Sequence, residues 1–166
     1  MPKTKNTEAA IVRLLTKRKQ QVALAESCTG GGIAHRITNV PGASNIFPGG
    51  IVAYSNAVKT SFLGVRRRTL AKHGAVSEPV ARQMAEGARK KFGADFAIAV
   101  TGIAGPGGGT RAKPAGTVFI AVAGPDGTVV ERRSNPFPRE KFKQITAQQA
   151  LELLYSRLTS GKHLCS

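Results

Sequence analysis

Apolar positions along this chain recur with two different periods, and the way the periods alternate predicts the fold. Residues 8–19 carry Ala9, Ile11, Leu14 and Leu15 at helical spacing behind Thr7, a hydroxyl residue suited to cap a helix. Gln21 to Ala25 is short, apolar and compatible with a buried strand. It runs straight into the small-residue turn of residues 26–32, after which Ile33 to Thr38 read as helix. A turn follows at Val40 to Ser44, then a strand over 49–54. Next comes a short helix that starts at Ser55-Asn56, carries Lys59 and ends before Gly64. Another short helix is expected over 67–72. A long one is expected over 78–92, capped by Ser77, with Pro79 in its first turn and Gly93 closing it. Residues 95–100 form a third strand, and residues 101–110 a glycine-rich loop. Segments 116–123 and 128–133 form a hairpin around Gly124 to Gly127, and a last helix spans 139–158. Strands alternating with helices, plus one hairpin, predict an α/β fold: a three-layer α/β/α single domain with a mixed sheet. Residues 1–7 read as a polar N-terminal tail, 8–160 as the domain and 161–166 as a C-terminal tail.

Composition changes this picture in three ways. Aromatic residues make up 5% of the chain and Trp is absent, so Ala, Val, Ile and Leu must do most of the packing. The formal net charge is +16, which suits an anionic partner, either a nucleic acid or a small anionic substrate. The basic clusters (17–19, 66–68, 89–91 and 132–133) are short, scattered and free of interleaved aromatics, as on a solvated basic surface and unlike a nucleic-acid stacking platform. The two cysteines, Cys28 and Cys165, are too few for a cysteine metal site, and the three histidines have no ligand-like spacing. The polar N-terminus does not read as a signal peptide, and no run reaches membrane-spanning length. A cytoplasmic protein without a membrane partner is expected.

Two loops can carry chemistry. In open α/β sheets, ligands bind beyond the carboxyl ends of strands, so the loops at 26–32 and 101–110 are expected to face one crevice. Ser27, Cys28 and Thr29 stand just before a helix N-terminus, whose N–H groups and dipole favour an oxyanion or a phosphate. The plain alternative is that Ser27 or Thr29 merely caps that helix. Ser27 has no evident histidine–acid pair, but a serine can be activated by a lysine made less basic by burial. Lys59, on a short helix close after Tyr54, suits that role; equally, it reads as an ordinary exposed helix lysine. The loop 101–110 has five glycines in ten residues, which suits either a backbone cradle for a ligand or a mobile surface loop. It lacks the Gly-Lys-Ser/Thr of a phosphate-binding P-loop.

Read together, Ala25-Glu-Ser-Cys-Thr-Gly-Gly31, Tyr54-Ser-Asn56, His73-Gly-Ala-Val-Ser77, residues 101–109 and Lys113-Pro-Ala-Gly-Thr117 closely resemble, in order and spacing, the C-terminal domain family of the competence/damage-inducible protein CinA. The resemblance covers residues 8–158. Stand-alone members of that family are nicotinamide mononucleotide deamidases. It therefore implies an amidohydrolase that turns the mononucleotide and water into nicotinate mononucleotide and ammonia, in pyridine nucleotide recycling. It implies no cofactor or metal, and association as a homo-oligomer, with a dimer expected. By matching motifs, it implies Ser27 as nucleophile, Lys59 as base and Tyr54 as a functional tyrosine. Ser44, Thr101 and Arg139 match further family positions, with Arg139 suited to the substrate phosphate. Backbone groups of Cys28, Thr29 and Gly30 would hold the oxyanion, while Gly102 and Gly105 would let the backbone approach the ribose or ring.

The chain departs from the family pattern once. Before the last helix the family has Phe-x-Gly-Asp-Arg. Here the chain reads Asn135-Pro-Phe-Pro-Arg139, keeping the arginine and replacing the Gly-Asp. Larger members carry an N-terminal molybdopterin-binding-like domain for which 166 residues leave no room, so its pyrophosphatase activity is not expected here. The alternative class is a non-catalytic, nucleic-acid-associated module linked to competence or DNA damage, supported by the charge alone. It predicts steeply salt-dependent DNA binding.

Overall fold

The computed structural model describes residues 6–160, in which large and small side chains alternate along the central strands. Val22 and Leu24 of β1 (Val22–Glu26), Ile98 and Val100 of β3 (Phe96–Gly102), and Val118 and Ile120 of β4 (Thr117–Gly124) face one side of the sheet. There they pack against α1 (Thr7–Arg18), α2 (Gly32–Thr38) and α6 (Arg139–Ser160). The intervening Ala23, Ala25, Ala97, Ala99, Ala121 and Ala123 face the other side. That side is covered by α3 (Asn56–Leu63), α4 (Arg67–His73) and α5 (Glu78–Phe92). The period of two thus divides the core into a bulky layer and an alanine layer. The expected three-layer α/β/α architecture is what forms.

The sheet runs in the order β2-β1-β3-β4-β5, with β2 at Gly50–Val52 and β5 at Gly127–Ser134. β1 is parallel to both β2 and β3, and the β4–β5 hairpin adds two antiparallel strands, so the sheet is mixed. Glu26 is level with Val52 on one side and Val100 on the other. β1 and β2 therefore end level with each other and β3 two residues further on, so the segments leaving the carboxyl ends of the three parallel strands share one edge.

Several boundaries differ from expectation for local reasons. α1 is capped by Asn6, whose side chain accepts the Ala9 N–H at 3.2 Å, while Thr7 is buried inside the helix and belongs to the domain, not to a tail. Ser77 is the N-cap of α5 as expected, its carbonyl accepting the Ala81 N–H at 3.0 Å, but its side chain makes no capping bond and donates instead to the Gly74 carbonyl at 2.8 Å. β2 is shorter than the expected strand because the chain turns away after Ala53, whose N–H closes the pairing on the Glu26 carbonyl at 2.7 Å. β3 runs on through Thr101 and Gly102, paired with Phe119 and Val118, so the glycine loop starts later. The expected C-terminal tail, with Cys165, lies outside the described residues.

The alanine layer lets helices approach closely. A Cβ on Gly87 in α5 would stand 1.8 Å from the Leu63 carbonyl oxygen at the end of α3. Helix propensity favours alanine over glycine by about 1 kcal/mol, but overpacking against backbone costs more, about 3 kcal/mol. Gly87→Ala is therefore expected to lower the thermal midpoint by roughly 5–10 °C, read by circular dichroism.

Candidate active site

Ser27 extends β1 by one residue, its N–H donating to the Val100 carbonyl at 3.1 Å. That bond fixes the hydroxyl at the edge where the parallel strands end. Lys59 reaches the same point from α3, a helix held by Ser55, whose side chain accepts the Val58 N–H at 3.2 Å. Lys59 is buried, only 2% exposed, so the reading as an ordinary surface lysine does not hold. Its Nζ lies 3.1 Å from Ser27 Oγ, 2.8 Å from the Ala53 carbonyl oxygen and 3.4 Å from that of Tyr54. No carboxylate pairs with it among the described residues, and burial pushes its pKa down from the usual lysine range. A neutral amine there has two N–H donors for the two carbonyls and one lone pair left for the Ser27 hydroxyl. The carbonyls thus orient the amine toward Ser27.

The surrounding crevice, of about 300 Å³, brings Ser27, Cys28, Tyr54, Lys59, Thr101 and Arg139 together with the Gly102–Gly108 backbone. The two glycine-bearing loops do meet. Arg139, at the start of α6, spans the opening: Nη1 donates to the Gly105 carbonyl at 3.0 Å and Nη2 to the Tyr54 hydroxyl at 2.7 Å. The replaced Gly-Asp before it therefore leaves the arginine at the crevice. Thr101 is buried and donates to the Ala75 carbonyl at 2.9 Å. That bond ties the His73–Ser77 segment, which brings Ala75 and Val76 to the wall, to β3. Cys28 is no competing nucleophile, because burial, aided by the Glu26 carboxylate, pushes its thiol up to about 12.

Three sequence-derived positions lie elsewhere. Ser44 is exposed on a single 3-10 turn, Ala43–Asn45. That turn leads into Ile46, whose carbonyl accepts the Val22 N–H at the start of β1, the far end of the strand from Ser27. Thr29 and Gly30 line a separate groove between the 29–32 loop and α6, away from the Ser27 crevice. Thr29 is fully buried and Gly30 adopts φ +61°, so both shape the loop.

Sequence reasoning missed Glu26. Its buried carboxylate accepts the N–H groups of Gly31 at 3.0 Å, Ile33 at 3.1 Å and Ala34 at 2.8 Å. The N-terminus of α2, expected to face an oxyanion or phosphate, is thereby occupied by the protein's own side chain. The signal was an acidic residue at the end of an apolar strand, a few residues before a helix. Lys143, one turn after Arg139 on α6, lines the separate groove beside Gly30, its Nζ 3.5 Å from where a Gly30 Cβ would be. Among the described residues, no three His, Cys, Asp or Glu side chains group as a metal site. No described helix is long and apolar enough to cross a membrane.

Comparison with known proteins agrees with this architecture. The profile of the CinA C-terminal domain matches residues 4–158. A CinA-like protein of Parasynechococcus marenigrum (strain WH8102) is 50% identical over 152 residues, covering 90% of this chain and 36% of that protein. A CinA-like protein of Anaeromyxobacter sp. (strain K) is 53% identical over 144 residues, covering 87% of this chain and 35% of that one. The chain thus spans about a third of the length of these relatives. Among solved structures, the competence damage-inducible protein A (ComA) of Klebsiella pneumoniae superposes with a TM-score of 0.90 at 35% identity, over 94% of this chain and 97% of that one. The competence/damage inducible protein CihA of Agrobacterium tumefaciens gives 0.84 at 38% identity, over 94% and 98%. With most of its length matched by the family profile and by relatives at half identity, the chain belongs to the CinA C-terminal domain family.

Proposed function

We propose that this protein is an amidohydrolase that converts nicotinamide mononucleotide and water into nicotinate mononucleotide and ammonia by a Ser-Lys mechanism. The observation that carries the reading is the buried Lys59 amine 3.1 Å from Ser27 Oγ, in a crevice edged by the Arg139 guanidinium. The substrate's cationic pyridinium ring makes its carboxamide carbon electrophilic. Ser27 Oγ attacks that carbon, a C–O bond forms, and the hydroxyl proton moves to the Lys59 lone pair. The carbonyl oxygen becomes an oxyanion facing backbone N–H groups, a kind of contact worth about 3 kcal/mol per donor. As the C–N bond breaks, Lys59 returns the proton to the departing nitrogen, which leaves as ammonia. Water then attacks the Ser27 ester, Lys59 takes its proton, and the serine is released carrying it as nicotinate mononucleotide leaves.

Arg139 uses two of its five N–H donors on Gly105 and Tyr54, so the rest of its fork is left for a phosphate. Losing a charged hydrogen bond of this type costs about 1.5–3 kcal/mol, or roughly 10–100-fold. Arg139→Gln is expected to raise KM for the mononucleotide by that factor and to leave the phosphate-free riboside nearly unaffected. Equal losses on both would remove Arg139 from phosphate recognition.

The direct test is ammonia release on mixing the purified protein with nicotinamide mononucleotide, with the acid product read by chromatography. No release by folded protein would sink the reading and move weight to the nucleic-acid module, which then has to show DNA affinity falling steeply with salt.

A further inference from the structure

Most backbone amides of the loop after Ser27 are hydrogen-bonded, and the two that are not are informative; the buried Thr29 hydroxyl also has no partner among the described residues. Ser27 N–H donates to Val100, Gly30 N–H to the Ser27 carbonyl at 3.1 Å, and Gly32 N–H to the Thr29 carbonyl at 3.2 Å. Gly31, Ile33 and Ala34 give their N–H groups to the Glu26 carboxylate. Between residues 27 and 34, only the amides of Cys28 and Thr29 make no hydrogen bond among the described residues. They directly follow the nucleophile, and of the two residues Cys28 lines the Ser27 crevice while Thr29 lines the separate groove.

Glu26 causes this pattern. It is the last residue of β1, 2% exposed, and its backbone carbonyl is already held by Ala53. A buried carboxylate is costly unless hydrogen-bonded, and here three amides and the positive end of α2 offset that cost. To bring those amides round one carboxylate, the chain must reverse within residues 27–31, which the left-handed Gly30 and Gly31 (φ +61° and +96°) permit. We propose that Glu26 is a positioning residue for the oxyanion site: by holding the amides of Gly31, Ile33 and Ala34, it folds the loop so that the amide of Cys28, a residue that lines the Ser27 crevice, is left for the substrate oxygen. Glu26 touches no substrate and acts through the loop. It also keeps the α2 N-terminus closed to the substrate phosphate. The inference rests on the amidohydrolase reading, so its test includes a reaction that does not need that reading.

Glu26→Gln keeps one acceptor oxygen but turns an NH2 group toward an N–H. Ala34→Pro removes one donor from the other side, in the first helical turn where proline is tolerated. Ammonia release, nicotinate mononucleotide binding by calorimetry, and acetylation of Ser27 by p-nitrophenyl acetate, read by mass spectrometry, are measured for both variants and the unaltered protein. Since one oxyanion donor is worth roughly 100–1000-fold in kcat, partial misplacement in Glu26→Gln is expected to cost about 30-fold. Ala34→Pro is expected to cost about 5-fold on the same scale. KM stays within about threefold, product still binds one per chain, and Ser27 acetylation slows in parallel. A general collapse of the site would instead raise KM and lower the binding stoichiometry. A folded Glu26→Gln protein with kcat within twofold of the original overturns the proposal. If that variant does not fold, an Ala34→Pro protein with unchanged kcat overturns it. If the unaltered protein releases no ammonia, the amidohydrolase reading fails by itself. Acetylation that is slower in the variants then still supports the positioning role, and acetylation that is equal, or absent in all, overturns it.

Discussion

Ser27→Ala is expected to abolish ammonia release from nicotinamide mononucleotide while leaving the fold and ligand binding in place. The hydroxyl is the oxygen that Lys59 Nζ meets at 3.1 Å, and Cys28 beside it cannot substitute because its thiol is held protonated up to about 12. Removing a nucleophile that works as a unit with its base leaves only binding and oxyanion stabilisation, so the loss is on the order of 10⁴-fold or more in kcat. The change removes one small, nearly buried atom, so nicotinate mononucleotide should bind the variant within a few-fold of the original, as calorimetry would report. A variant that still released ammonia would keep the activity and remove Ser27 from it.

Lys59→Met carries the second large effect, and it separates catalysis from stability. Methionine matches the length of the buried stem, but its thioether is far too weak a base to take the Ser27 proton. A positioned general base is worth about 10²–10⁴-fold, so a loss of roughly 10³-fold in kcat/KM is expected. The pH profile identifies the base. Only neutral Lys59 accepts a proton, so kcat/KM should rise with pH through a value below the ordinary 10.5, because burial disfavours the ammonium. Stability follows the same linkage. Between the lowered folded value and the ordinary unfolded one, the unfolded chain holds a proton that the folded chain does not, so stability rises with pH across that window. The methionine variant should lose this rise and be at least as stable near neutrality. A base other than Lys59 would leave the acid limb of the variant's residual activity where it was.

Much of this protein was legible from residue order. The alternation of Val22, Leu24, Ile98 and Val100 with Ala23, Ala25, Ala97 and Ala99 decides which face of each strand meets which helices, because side chains alternate across a strand whatever follows. Glycine and proline placed most turns, as with Gly93 closing α5 in the left-handed conformation. The small-residue loops after β1 and β3 pointed to one edge of the sheet, since parallel strands send their carboxyl ends to the same side.

What local pattern could not decide was partnership between residues far apart in the chain. Lys59 looks like any helix lysine until α3 packs beside the end of β1, 32 residues away, and burial strips it of water. Ser44 stands in a motif-like position, yet its turn leads into the opening of β1, so the length of that strand separates it from Ser27. Glu26 and Ser27 are neighbours whose side chains serve different ends, because a strand sends successive residues to opposite faces. The carboxylate goes to the amides of α2 and the hydroxyl to Lys59. Sequence alone determined the periods, and hence the layers. Burial, charge state and the pairing of Ser27 with Lys59 arise only when distant segments exclude water from a shared space, and that the tertiary structure decided.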